Sequence, residues 1–273
     1  MEQYSYIAGT IVGNTIRRAI RQDTATAMNG TTGSGSPAEG RSREEIEREN
    51  EELQARVEFL TKKLNLVGSV TRHDVLNQLT AIMGYNELLG MMIQDPKHKS
   101  FLDKEKMAIE KIRRQFQFAK DYQNIAVEPP RWQNIRNACT RVSEDFDLKG
   151  TKIIPGTGSA VILADSQFEK VLHHIFSNAL VHGVNATEIR ITLREEGDGG
   201  VLIIENNGAG IPEGDKQKIF ERGYGKGNGW GLFLAREILA ITGMTIAETG
   251  DPAGGVRFEI RLPRGSFRLQ GHE

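Results

Sequence analysis

The chain has 273 residues with nearly balanced charge, since 35 lysines and arginines stand against 36 aspartates and glutamates. At roughly 150 residues per domain this length predicts about two folded units. A composition of 38% apolar and 26% charged residues is typical of a globular protein. The balanced charge argues against a general nucleic-acid-binding protein, which needs an excess of basic residues. The single cysteine, Cys139, excludes an internal disulfide and a four-thiolate zinc site, and it favours a reducing compartment.

Residues 1–43 are predicted to be a flexible N-terminal tail and linker, because they end in a stretch rich in glycine, serine and proline. Isoleucines near helical spacing leave open a short membrane-surface or partner-binding helix in this tail; they are Ile7, Ile11, Ile16 and Ile20. No stretch reaches the roughly 20 apolar residues of a membrane-spanning helix. The uncharged segment 3–16 lacks the basic start of a signal peptide. We therefore expect a cytoplasmic protein without a transmembrane segment.

A coiled coil is predicted from Glu44 onward. Its seam alternates steps of four and three residues, through Ile46, Asn50, Leu53, Val57, Leu60, Leu64 and Val67. Asn50 occupies a core position, where a buried asparagine favours two parallel strands in one register. The charged residues on both flanks favour this dimer over a single amphipathic helix packed on its own chain.

The helical pattern continues to Pro96, which is expected to end the first helix. A second helix is predicted over 100–125, before a pair of prolines. Two long helices joined by a short loop form an antiparallel hairpin, and two copies form a four-helix bundle. Residues 44–126 are thus predicted to be the coiled coil and dimerisation hairpin, and residues 127–273 a separate domain.

The pattern after residue 131 is that of an α/β domain. Short strands at 151–155 and 161–163 precede a helix that Asp165 is expected to cap. Alternating apolar residues predict further strands at 189–193, 201–205 and 256–262. The expected fold class is α+β, a helical hairpin followed by an α/β sandwich. Its mixed sheet is expected to have helices on one face and solvent on the other.

The segment RHDVLNQL, residues 72–79, places chemically active side chains on the outer face of the first helix. His73 lies about 200° around the helix from the seam residue Val75, and Asn77 follows on the outer face one turn later. A neutral imidazole offers a nucleophilic nitrogen near pH 7. Asp74 can orient it or accept its proton, and Asn77 can hold a water or a phosphoryl oxygen. Taken alone, an exposed histidine on a helix is usually only solvated.

Two glycine-rich segments in the second half predict a phosphate site. The segment IIENNGAGIP, 203–212, ends a strand, and GYGKGNGWGL, 223–232, leads into a helix. The N-terminal amides and dipole of that helix can receive phosphate. Lys226 is placed to neutralise phosphate charge, and Asn178 on an earlier helix offers Mg²⁺ an oxygen. Each signal is weak alone, since glycine clusters are usually turns.

The motifs RHDVLN, FSNALVHG, NNGAGIP, IFERGYG and GNGWGLFL, in this order over 44–265, resemble the transmitter region of two-component sensor histidine kinases. The arrangement looks especially like soluble archaeal examples. The resemblance implies a dimerisation and phosphotransfer hairpin followed by an ATP-binding sandwich of the type shared with gyrase, mismatch-repair ATPases and certain chaperones. It makes His73 the phosphoacceptor, Asp74 the adjacent general base, and Asn77 the residue that helps water attack an acyl phosphate on the partner.

The same resemblance implies ATP and Mg²⁺ as cofactors, with Asn178 on the metal, 206–210 beneath adenine and 223–231 as a lid over the phosphates. The implied ATP-binding residues are Asn178, His182, Asn206, Gly208, Gly210, Gly225, Lys226, Gly227, Gly229, Gly231 and Leu232. The implied partners are a second copy of the chain and a response-regulator receiver domain, with no nucleic acid. No sensor domain of familiar size precedes the coiled coil, so the input is expected through the tail, a separate sensor protein or a neighbouring domain.

The chain departs from the family pattern at three positions. Asn206 stands where aspartate is usual, His174 where a first asparagine is common, and Val181 where a lysine often meets phosphate. An asparagine carbonyl can still accept a bond from the adenine amino group, but a neutral bond is weaker than a charge-assisted one. The leading hypothesis is an ATP-dependent protein-histidine kinase that phosphorylates His73 and passes the phosphoryl group to a response-regulator aspartate. The alternatives are a catalytically weakened dimeric scaffold or phosphatase, and an ATPase or serine kinase on the same sandwich.

Overall fold

The computed structural model describes residues 42–183, 185–225 and 229–269. These residues divide between Phe116 and Gln117 into two compact units. Residues 1–41 of the predicted tail lie outside the described residues. Within the described residues, no helix is both long enough and apolar enough to cross a membrane.

The first unit is a pair of long helices, α1 (Arg43–Met92) and α2 (Pro96–Gln123), the second of which extends beyond it. A capping box starts α1, because Ser42 Oγ accepts from the Glu45 N–H while the Glu45 carboxylate accepts from the Ser42 N–H. Pro96 begins α2, where the N–H that proline lacks has no helical partner in any case. The second helix therefore starts four residues earlier than the sequence indicated.

Contacts between α1 and α2 make them an antiparallel hairpin. The Asn86 side chain donates to the carbonyl of Leu102 at 3.0 Å and to the carboxylate of Glu105 at 3.1 Å. Leu79 on α1 and Ile109 on α2 are buried. The predicted coiled-coil seam is different, because four of its apolar side chains are 44–53% exposed in the single chain, namely Ile46, Leu53, Leu60 and Val67. Val57 and Leu64 of the same seam are half-buried.

The second unit holds two sheets. The smaller is antiparallel with strand order β1-β3-β8, formed by β1 (Arg131–Asn134), β3 (Val161–Ala164) and β8 (Phe267–Arg268). The larger is mixed with order β2-β4-β5-β7-β6, formed by β2 (Lys152–Pro155), β4 (Glu188–Glu196), β5 (Gly199–Asn206), β7 (Arg257–Leu262) and β6 (Thr245–Glu248). In the larger sheet β2 and β4 are parallel and the other neighbours antiparallel. The sequence predicted β3 and every strand of the larger sheet except β6, and it missed β1 and β8.

Three helices belong to this unit: α3 (Ile135–Ser143), α4 (Phe168–His182) and α5 (Gly231–Ala240). The core contains the apolar faces of α4 and α5 and the alternate residues of the large sheet; among its fully buried members are Phe168, Phe176, Ile189, Leu202, Leu234 and Phe258. The intervening strand residue Arg190 is exposed. The predicted α+β fold class is confirmed.

Asp165 does not cap α4 as predicted. Its carboxylate accepts from the N–H of Gln167 at 2.8 Å and from the N–H of Ala126 at 2.9 Å. Helix α4 begins at Phe168 and its N-cap residue, Gln167, makes no side-chain cap bond. Burial raises the pKa of the Asp165 carboxyl above its ordinary value, and the two N–H donors offset only part of that rise. Asp165 therefore fastens the segment after α2 to the start of α4.

Candidate functional site

His73, Asp74 and Asn77 form a small polar cluster on the exposed face of α1. Asp74 Oδ1 lies 3.2 Å from His73 Nδ1, and Asn77 Nδ2 lies 3.3 Å from Nδ1 and 3.4 Å from Nε2. A carboxylate only accepts, so the Asp74 contact corresponds to the tautomer with its proton on Nδ1, in which the Asn77 N–H can donate to Nε2 at 3.4 Å. The His73 side chain is 74% exposed. The imidazole is thus accessible while Asp74 contacts its Nδ1.

Helix α4 positions Asn178 through its buried face, which packs in the core. Asn178 itself is half-buried, and its side chain makes no hydrogen bond to any described residue. His182 is exposed in the last turn of the same helix, and Val181 is 68% exposed. An open carboxamide at such a position is free to meet a ligand.

The loop after β5 folds against the C-terminal end of α4. Asn206 Oδ1 accepts from the Gly208 N–H at 2.9 Å. A Cβ atom on Gly208 would lie 2.9 Å from the backbone of Gly183, and one on Gly210 would lie 2.5 Å from the carbonyl oxygen of Pro252. Glycine is therefore required at both positions for this close approach.

The second glycine segment leads into α5. Gly225 and Gly229 have positive φ values of 96° and 60°, and α5 begins at Gly231. Its N-cap residue, Trp230, makes no side-chain cap bond, so it leaves the first N–H groups of the helix uncapped. Such a terminus suits an anionic ligand. Leu232 is half-buried against the core, and the predicted Lys226 and Gly227 lie outside the described residues.

Helix α4 brings the two glycine segments to one side of the domain. Near its middle, His174 touches Gly231; at its end, Gly183 touches Gly208. At 1.5 Å per residue these two contacts are about 13 Å apart along the helix. Asn178 lies between them. Both glycine segments therefore contact α4, while the roles of these residues toward ATP stay predictions.

His174 is a feature that the sequence flagged only as a departure. Its Nε2 is buried and has no hydrogen-bond partner within the described ranges. Burial, together with a smaller effect of the neighbouring His173, lowers the pKa of His174 to about 4. The imidazole is consequently neutral at pH 7, beside the start of α5. The one sequence signal for this position was that an asparagine is common there in the family pattern.

Aromatic residues at the end of α2, which the sequence analysis missed, pack beside the start of α5. The ring of Phe118 lies 4.5 Å from that of Trp230, and the ring of Tyr122 lies 6.3 Å from that of Phe233. Between them on α2, Asp121 forms an ion pair with Lys170 of α4. These contacts hold the segment that directly follows the second glycine-rich loop.

Two cavities border these elements. One of about 490 Å³ has Asp121, Lys170 and His174 in its lining. The other, of about 480 Å³, lies at the ends of β4, β5 and β7 and has Asn206 and Arg257 in its lining. Asn178 lines neither of them.

The side chains available for metal binding suit an ion that is coordinated mainly by a bound ligand. In the part of the chain that the structure describes, no group of three or more His, Cys, Asp or Glu side chains could hold a metal ion. Mg²⁺ is commonly bound through one or two protein oxygens together with substrate phosphates. The single open oxygen of Asn178 fits that mode of binding.

Residues 164–266 match the family model described as histidine kinase-, DNA gyrase B- and HSP90-like ATPase. The alginate biosynthesis sensor protein KinB of Pseudomonas aeruginosa is 37% identical over 102 residues, which are 36% of this chain and 17% of KinB. The signal transduction histidine-protein kinase AtoS of Escherichia coli is 28% identical over 234 residues, which are 79% of this chain and 37% of AtoS. The chain therefore spans well under half the length of these curated relatives.

Among solved structures, full-length ShkA in complex with AMPPNP gives a TM-score of 0.51 at 18% identity, over 75% of this chain and 46% of that one. This likeness shows a shared fold. The ATP-binding domain of PrrB from Mycobacterium tuberculosis gives 0.43 at 24% identity, over 51% of this chain and 100% of that one. Together, the family match and the named relatives support an ATP-binding domain of the sensor histidine kinase type in the C-terminal part of the chain.

Proposed function

We propose that the chain is a protein-histidine kinase of a two-component system, which phosphorylates His73 from ATP and transfers the phosphoryl group to an aspartate of a response-regulator receiver domain. The observation that carries the proposal is the exposed His73, held through Nδ1 by Asp74, in the same chain as a histidine-kinase-type ATPase domain. An ATPase without a protein substrate has no need of such a histidine on a helical hairpin.

The proposed reaction follows from the protonation of His73. Nε2 attacks the γ-phosphorus of ATP, the new N–P bond forms, and the bond to the bridging oxygen of ADP breaks. The ring becomes cationic as Nε2 bonds, and Asp74 accepts the proton from Nδ1 at 3.2 Å. Asn77 lies near both nitrogens. We propose that it helps a water attack the acyl phosphate of the regulator, which removes the phosphoryl group from the regulator as inorganic phosphate.

Asn178 is the residue proposed to hold Mg²⁺, through its open carboxamide oxygen. When bound, the ion neutralises charge on the phosphates of ATP. The uncapped start of α5 is proposed to bind phosphate oxygens, with Gly225, Gly229 and the neighbouring Lys226 and Gly227 as the lid.

The chain is proposed to act as a cytoplasmic homodimer through residues 44–126, with 127–273 as the catalytic domain. The exposed Ile46, Leu53, Leu60 and Val67 of the seam support the dimer, because a second copy of the same seam would cover them. A separate sensor protein is a further proposed partner.

The test is incubation of the full chain with γ-³²P-ATP and Mg²⁺, followed by acid and base treatment. We expect an acid-labile, base-stable label that His73→Ala abolishes. His98→Ala is the matched control, because His98 is also exposed on the hairpin and its Nδ1 lies 2.6 Å from Asp95; it should keep the label. No label in the wild type, or a label that survives His73→Ala, would contradict the kinase and leave the scaffold or phosphatase.

A further inference from the structure

The carboxamide of Asn206, at the end of β5, has a fixed orientation. Its Oδ1 accepts from the Gly208 N–H at 2.9 Å. A backbone N–H only donates, so turning the amide over would set two donors against each other. The oxygen of Asn206 therefore faces its own loop.

The remaining polar atom of this side chain is a donor. Asn206 is half-exposed, and its Nδ2 has no hydrogen-bond partner among the residues that the structure describes. An aspartate in the same place would leave a second acceptor oxygen there. The asparagine instead leaves an N–H group.

The side chain of Asn207 does not supply the acceptor oxygen that an aspartate at position 206 would offer. Asn207 Oδ1 accepts from the N–H groups of Thr187 and Glu188, and its Nδ2 donates to the Thr187 hydroxyl at 2.8 Å. Glu205, adjacent to Asn206 in the strand, lines the same cavity, and its carboxylate is paired with Arg257 at 3.9 Å. Within the described loop, the free group at the base of the site is the Asn206 N–H.

We propose that Asn206 changes the base selectivity of the nucleotide site, so that a purine with a 6-carbonyl binds at least as tightly as adenine. The inference rests on the proposed binding of the base at 206–210. Adenine presents an amino donor at C6, whereas guanine and hypoxanthine present a carbonyl acceptor. An amino group that reached the second lone pair of Oδ1 would still leave the Nδ2 protons unpaired, while a carbonyl accepts from them directly.

ITP is the sharpest probe, because its base differs from adenine at C6 and in the proton on N1, without the 2-amino group of guanine. In the wild type, ITP should bind as tightly as ATP or more tightly. In Asn206→Asp, one carboxylate oxygen keeps the Gly208 N–H and the other accepts from adenine. The ratio of the ITP dissociation constant to that of ATP should then rise by tenfold or more.

The measurement is calorimetry of the full chain with ATP and with ITP in Mg²⁺. Asn137→Asp is the matched control: it adds the same charge at an exposed position of α3, outside the proposed base site. Its ITP-to-ATP ratio should match the wild type. A wild type that prefers ATP tenfold or more, a ratio that changes equally in both variants, or no binding of either nucleotide would overturn the inference.

The test of base selectivity can fail or succeed independently of the test of kinase activity. His73 labelled by ATP, in a protein that discriminates strongly against ITP, would refute the altered selectivity and leave the kinase intact. Equal binding of the two nucleotides without phosphorylation of His73 would support the selectivity and refute the kinase.

Discussion

His174 Nδ1 lies directly over Gly231, so that a Cβ atom at position 231 would be only 2.9 Å from it. Helices α4 and α5 meet at this point, where a buried neutral imidazole adjoins the uncapped helix start. The contact explains why the first residue of α5 has no side chain. It also yields two predictions about stability and ligand binding.

Gly231→Ala should displace either His174 or the first turn of α5. Overpacking of this kind costs about 1–3 kcal/mol in the free energy of unfolding, and nucleotide affinity should fall with it. Denaturant unfolding of the full chain measures the first effect. Gly214→Ala is the control, since no atom lies within 4 Å of a Cβ there, and equal losses in the two variants would contradict the contact.

The depressed pKa of His174 predicts acid sensitivity. In the unfolded chain the imidazole gains a proton as pH falls through 6.5, whereas in the folded chain it does so only near its pKa of about 4. The unfolded state therefore binds more protons in this window, and folding stability falls with pH. Between pH 7 and pH 5 the loss from this one group is roughly 2 kcal/mol.

Comparison with His174→Asn isolates that contribution. The variant should lose about 2 kcal/mol less than the wild type between the same two pH values, as measured by denaturant unfolding. His182→Asn, at an exposed position of the same helix, should behave like the wild type. Parallel pH profiles for wild type and His174→Asn would show that burial of the imidazole has no such effect.

Asn178→Ala should abolish the Mg²⁺ dependence of ATP binding without unfolding the domain. The substitution removes the one protein oxygen proposed for the metal, and a hard cation left under-coordinated binds poorly. Titration with a fluorescent ATP analogue, with and without Mg²⁺, measures the effect. Ser177→Ala, the adjacent half-buried position, serves as the control; an unchanged response to Mg²⁺ in Asn178→Ala would place the metal on other residues.

The exposed coiled-coil seam predicts a dimer. Sedimentation at micromolar concentration should show one species near twice 30.3 kDa. Asn50→Leu should raise thermal stability while loosening dimer specificity, because the asparagine trades stability for register. Ala55→Leu adds a leucine on the outer side of the same helix and should change neither property. A single species near 30.3 kDa would contradict the predicted dimer.

Most of the fold could be predicted from strand alternation and helical periodicity, because burial on one face of an element requires apolar residues at a regular spacing in the sequence. Ile189 and Ile191 in β4 illustrate this, since both are buried while Arg190 between them is exposed. Strands β1 and β8 have four and two residues, which is too short for a period to emerge. These two strands of the small sheet were missed for that reason.

The finer features of the site depend on contacts between residues distant in sequence. The burial of His174 requires Gly231 from another helix, and no local pattern encodes that packing. The expected Asp165 cap failed because the carboxylate bonds to the N–H of Ala126, 39 residues away. The partner of Asn206 Oδ1 is local, but its consequence for the free amide follows only from the observed geometry.

The most direct test of the central claim is the position of the phosphoryl group on the protein. The full chain is phosphorylated with ATP and Mg²⁺ at alkaline pH, and the modified atom is identified by phosphorus NMR together with peptide mass spectrometry. We predict one phosphate, on Nε2 of His73, because Asp74 holds the proton on Nδ1. A phosphate on Nδ1, on another residue, or none at all would contradict it.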